Sequence, residues 1–140
     1  INNTINKIIF FVTSMVFVVF LEEIIFRGFL NQTMAKDNVK TATLVTSLTF
    51  GIGHIINLLN GADLVPTLIQ IVYAVATGYA FAVILQKGKS LWPCIITHSV
   101  VNAFSILNIE NTISMYVAPV ILTVVPLLYV VYLKKNIKEE

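Results

Sequence analysis

The sequence predicts an all-α fold, a polytopic transmembrane helical bundle, and three observations carry that prediction. First, 57% of its 140 residues are hydrophobic and 11% are charged; a water-soluble domain needs about 25% charged residues to cover its surface. Second, mean hydropathy is +0.88. Third, the apolar residues fall in five runs near the length of about 20 residues that a spanning helix needs. This composition argues against a soluble enzyme or a disordered regulator. A net charge of +2 implies no polyanionic partner, so nucleic acid is not an expected ligand. The single cysteine, Cys94, cannot form an internal disulfide.

The five predicted spans cover residues 8–30, 39–59, 65–86, 91–109 and 113–133. The first is too long for a signal-peptide core and carries charges within it. Many of these residues are Ile and Val, which favour strands in water. In lipid only helices and closed barrels satisfy the backbone, and unbroken apolar runs lack the alternation of a barrel. Lysines set the orientation. Lys36 and Lys40 flank the first connection, Lys87 and Lys89 lie in the third, and Lys134, Lys135 and Lys138 end the chain. The second connection, 60–64, and the fourth, 110–112, hold none. This alternation puts the first and third connections and the tail in the cytoplasm, with Lys7 the one cation opposite. Trp92 and Pro93 suit an interfacial anchor and a first-turn proline. Ala74, Gly78 and Ala82 repeat small residues at the spacing of close helix packing, and Pro119 and Pro126 are expected to bend the fifth span.

Charges inside a span cost at least ~2.5–3.5 kcal/mol each, so those present need a reason. Glu23 and Arg27, four residues apart on the first span, share a face and can pair. Glu22 points about 100° away with no partner in its own helix. Its plain reading is an interfacial carboxylate reaching headgroups; its sharper one is a general base. The second span carries Phe50 and His54, and the fourth carries His98 and Asn102, again one turn apart. Taken singly, a membrane histidine or amide is more often interhelical hydrogen-bonding glue. Depth links them. At about 1.5 Å per residue, Glu22 lies roughly 12 Å in, His98 roughly 10 Å, Asn102 roughly 17 Å and His54 roughly 18–22 Å. One shared cavity in the cytoplasmic half explains the set better than three separate accidents. The residue types allow a general base, an orienting ion pair and oxyanion donors, the requirements for adding water to an amide. Glu22, His54 and His98 are alternatively a possible zinc set, although no H-E-x-x-H helix is present.

These motifs, Glu22-Glu23-x-x-x-Arg27, Phe50-x-x-x-His54 and His98-x-x-x-Asn102 in that order on separate membrane helices, resemble the CPBP family. It comprises intramembrane proteases that include CAAX prenyl endopeptidases and bacterial Abi or bacteriocin-processing proteins. The resemblance spans residues 21–102 and implies an all-helical CAAX-endopeptidase-like bundle, usually of more than five spans. The chain opens on Ile1, and the expectation is one membrane-embedded protease domain over 1–140, lacking N-terminal helices of a longer protein. The resemblance implies that Glu22 activates water with help from His54, that Glu23 and Arg27 orient the site, and that His98 and Asn102 stabilise the oxyanion. No cofactor is then required, and zinc is the alternative. The expected substrate is a membrane-associated peptide or protein cleaved near the cytoplasmic face. The Ile/Asn/Lys-rich composition suggests a multi-pass protein of a bacterial plasma membrane, with a role in bacteriocin maturation or self-immunity. The competing readings are a catalytically silent scaffold or immunity protein and a proton-coupled transporter.

Overall fold

The computed structural model describes residues 2–104 and 112–136, all of them in helices or short turns, with no strand among the described residues. Helix α1 (Asn2–Glu23) passes without a break into a π-helical stretch, Ile24–Asn31, and ends in α2 (Gln32–Ala35). The second span bends: α3 (Val39–Gly53) stops at His54, and the short α4 (Ile56–Leu59) completes it. Then follow α5 (Leu64–Gly88), α6 (Trp92–Phe104) and α7 (Thr112–Asn136).

Among the described residues, four helices are long and apolar enough to cross a membrane: Asn3–Ala35, Val39–Leu59, Leu64–Gly88 and Met115–Asn136. The expected fourth span corresponds to α6, whose 13 described residues fall short of that length. Its expected remainder, 105–109, lies outside the described residues, as do Glu110, Asn111 and Lys138.

The π-helical stretch has a geometric consequence. In an α-helix, residues four apart drift by about 40° around the axis at each step. A π turn, bonded i to i+5, takes more than four residues and drifts the other way. Joining the two keeps Val19, Glu23, Arg27 and Asn31 on one side of a long helix, and all four are fully buried. Three of those four are polar or charged, so the helix turns its costliest side chains inward and its apolar ones to lipid.

Side-chain bonds tie the helix ends together in up-and-down order. Asn31 Nδ2 donates to Thr46 Oγ1 at 3.0 Å, and Gln86 Nε2 donates to Thr43 Oγ1 at 2.7 Å and to Asn31 Oδ1 at 3.4 Å. The end of the first span, the start of the second and the end of the third therefore share one side. Lys134 Nζ, bonded to Tyr79 Oη at 2.7 Å, brings the end of α7 toward the same end of α5. At the opposite side Asn57 Nδ2 donates to Gln70 Oε1 at 2.8 Å. This agrees with the alternation read from the lysines.

Local chemistry explains how these helices sit in lipid. Asn38 caps α3, its Oδ1 accepting from the Thr41 N–H at 2.9 Å. Within α3 the hydroxyls of Thr43, Thr46, Ser47 and Thr49 each donate to the carbonyl four residues back, which satisfies groups that lipid cannot. Pro126 has no N–H for the Leu122 carbonyl, and Thr77 Oγ1 from α5 donates to it instead at 3.1 Å. Ala80 and Val83 of α5 pack with Val130 and Leu133 of α7 into a buried cluster.

α5 is the central helix, packed on α3 along one side and α7 along another. On the α3 side the close approach is at Gly51, where an added methyl would collide with the Val75 side chain and lie 2.9 Å from its backbone nitrogen. Backbone cannot yield as a side-chain tip can, so Gly51→Ala is expected to lower stability by about 1–3 kcal/mol. Thermal unfolding of the detergent-solubilised protein checks this; an unchanged midpoint would show that the two helices are not in such close contact.

Candidate active site

The first helix supplies three charged residues to the site, and the adjacent glutamates occupy different environments. Glu23 and Arg27 are fully buried and paired, Nη1 to Oε1 at 3.2 Å. This is the i,i+4 pair expected from their spacing. Glu22, one residue earlier, keeps 32% of its side chain exposed.

His98 of α6 joins them. Its Nδ1 lies 2.8 Å from Glu23 Oε1, the same oxygen that Arg27 uses. A carboxylate only accepts, so Nδ1 carries the proton and donates. Its Nε2 faces Glu22 Oε2 at 3.8 Å, within ion-pair range and beyond a direct hydrogen bond. The imidazole thus stands between the two carboxylates, with one nitrogen committed and the other toward the exposed glutamate. Packing of α6 on α1 brings residues 75 positions apart to this contact.

Aromatic rings form the other wall. The Arg27 guanidinium carbon stands 4.0 Å from the Phe50 ring centroid and 5.6 Å from that of Phe81, cation–π distances that offset part of the cost of burying the charge. Phe50 is a hub: its ring meets His54 edge-on at 5.2 Å and His98 at 5.8 Å. The two imidazoles accordingly flank one phenyl ring.

His54 sits where α3 ends, half-buried, with Nδ1 3.1 Å from the Phe50 carbonyl. That carbonyl accepts, so Nδ1 carries the proton and Nε2 keeps its lone pair. Asn102 lies one turn beyond His98 on α6 and is half-buried. The structure therefore gathers Glu22, Glu23, Arg27 and His98 directly, links His54 through Phe50, and carries Asn102 on the His98 helix.

Among the described residues no three His, Cys, Asp or Glu side chains are grouped so as to hold a metal ion. In the alternative zinc set, Glu22 Oε2 and His98 Nε2 stand 3.8 Å apart and His54 keeps its Nε2 lone pair. Cys94 is buried, its thiol 3.5 Å from the Phe81 carbonyl, and takes no part in the site.

Phe81 of the aromatic wall was not singled out from sequence as part of this site, nor were Asn31 and Gly78. Asn31 ends the buried polar row of the first helix; its signal is the four-residue repeat from Glu23 through Arg27. Gly78 of α5 faces Arg27, and its sequence signal, the small-residue repeat, points only to close packing.

Comparison with curated proteins and with solved structures gives no match. A family model does match: residues 4–104, which include all six candidate site residues, fit that of the type II CAAX prenyl endopeptidase Rce1-like proteins. With this match over most of its length and with its membrane-length helices, the chain belongs to the Rce1-like family of CAAX-type membrane endopeptidases.

Proposed function

We propose that this protein is an intramembrane endopeptidase that uses Glu22 to activate water and cleaves a membrane-associated peptide or protein near the cytoplasmic face. The observation that carries this reading is the asymmetric placement of the two glutamates around His98. Glu23 is fully buried, with both donors on its Oε1, whereas Glu22 is partly open and commits no hydrogen bond to the ring it faces.

In this mechanism a Glu22 oxygen takes a proton from water as the water oxygen bonds to the scissile carbonyl carbon. The carbonyl oxygen becomes an oxyanion that accepts from His98 Nε2–H and the Asn102 amide. An imidazolium donates from both nitrogens, one to Glu23 and one to the oxyanion. Collapse breaks the C–N bond, and Glu22 passes its proton to the departing amine. His54, with its Nε2 lone pair available, assists water activation. Glu23 and Arg27 act through His98, holding its ring in place.

Membership of the family supports a membrane-associated protein substrate. The composition favours a bacterial plasma membrane, and bacteriocin maturation or self-immunity is the physiological role we propose. The test is cleavage of a quenched library of membrane-associated peptides by purified protein, with and without chelator. Cleavage that chelator spares and that Glu22→Ala abolishes is expected. Loss on chelation with recovery on adding zinc would make Glu22, His54 and His98 ligands instead. Folded protein inert on every peptide would favour a scaffold, immunity or transport role.

A further inference from the structure

Arg27 makes one hydrogen bond from its guanidinium to Glu23, through Nη1, while its Nη2 has no hydrogen-bond partner among the described residues. That bond and the Phe50 and Phe81 rings hold one end and the face of the guanidinium, and its Nη2 end is confined by shape. A methyl group added at Gly78 would lie 2.7 Å from Arg27 Nη2, closer than carbon approaches without displacement, and 3.2 Å from the Phe50 ring, a tight contact that a small shift relieves. The backbone of α3 at Ser47 is 3.5 Å away, ordinary contact distance.

This differs from Gly51, whose added methyl would meet the Val75 backbone nitrogen and Ile71 carbonyl of the neighbouring helix. Gly51 lets two helices approach, whereas Gly78 leaves room for a side-chain tip. Its neighbours in the small-residue row, Ala74 and Ala82, are buried and already carry a methyl. Of the three, only position 78 faces the guanidinium closely enough to require none.

We propose that Gly78 is a positioning residue for the reaction: the space left by its missing side chain seats Arg27, and through the shared Glu23 oxygen sets the His98 ring. The chain of contact runs from Gly78 to Arg27 Nη2, from Nη1 to Glu23 Oε1, and from that oxygen to His98 Nδ1. Alanine at 78 pushes Nη2 away from α5. The pair then shifts or breaks, and His98 loses its alignment with the substrate oxyanion. Misplacement of a catalytic group by about 1 Å costs up to roughly a hundredfold in rate.

The activity arm of the test rests on the proteolytic reading; the spectroscopic arm does not. Gly78→Ala is expected to lower kcat roughly ten- to hundredfold while KM changes by less than about twofold. Lysine lacks the second guanidinium nitrogen, so Arg27→Lys removes the 2.7 Å contact and leaves the added methyl only its milder one with the Phe50 ring. The double variant should then lose less than about threefold in kcat relative to Arg27→Lys alone. Gly88→Ala, at a position where an added methyl meets nothing within 4 Å, should match wild type.

The sequence has two histidines, so in a His54→Gln background the 15N spectrum of the ring reports His98 alone. Gly78→Ala should move that signal, and should move it far less when residue 27 is lysine. A Gly78→Ala protein with wild-type kcat, losses that multiply in the double variant, or an unmoved His98 signal would each overturn the proposal. If wild type cleaves nothing, or Glu22→Ala cleaves normally, the proteolytic reading fails and the spectrum still decides the role of Gly78.

Discussion

Replacing Glu23 by alanine is expected to cost about 3–5 kcal/mol of stability, the penalty for leaving one member of a buried ion pair uncompensated. Arg27 is only 1% exposed, so its charge would be left buried. The same substitution removes the acceptor for His98 Nδ1, so cleavage should be lost as well. Unfolding of the detergent-solubilised variant measures the first effect and peptide cleavage the second. A second variant separates them. Glu23→Leu combined with Arg27→Met removes both charges and fills the space with apolar atoms, and such replacements are often neutral or better. It should recover most of the stability and none of the activity. A Glu23→Ala protein that unfolds at the wild-type temperature would show that the pair is not buried as described.

Glu22→Gln should produce the opposite profile. The side chain is one-third exposed and commits no direct hydrogen bond to His98, so stability should move by no more than about 0.5 kcal/mol. The amide keeps the shape and loses the basic oxygen. Removal of a general base lowers the rate by about 10²–10⁴-fold, read as kcat on the best peptide of the library. A variant retaining more than about a tenth of wild-type kcat would take Glu22 out of the role of base. Adjacent residues of one helix are thus expected to divide the work: one tolerated by the fold and essential to the chemistry, the other required by both.

How much of this was legible in the sequence follows from which contacts are local. The Glu23–Arg27 pair is four residues apart, and spacing alone puts both on one face. The first-turn proline Pro93 of α6 is equally local, and the second predicted span coincides with the membrane-length helix Val39–Leu59. The contact of His98 with Glu23 is different. It joins α6 to α1 across 75 residues, and one sequence does not say which of two neighbouring carboxylates a distant imidazole will meet. Assigning Glu22 no partner in its own helix left the His98 side of it open. The π turns were hidden too, because their mark in sequence, polar residues at 23, 27 and 31, reads as an α-helix drifting out of register. Gly78 was visible as a small residue, but its purpose depends on a guanidinium 51 positions earlier. The end of the fourth predicted span, 105–109, lies outside the described residues.

The single oxygen shared by Arg27 and His98 bears on how such a protein would change over generations. A lineage that no longer needs cleavage can discard Glu22 by one substitution at little cost to folding. Discarding Glu23 strands a buried cation, and that route stays closed unless Arg27 changes as well. Decay of this enzyme into an inert membrane protein would therefore begin at position 22 and spare position 23. The conserved remnant of a lost activity would be the ion pair that supported it, outlasting the carboxylate that performed the chemistry.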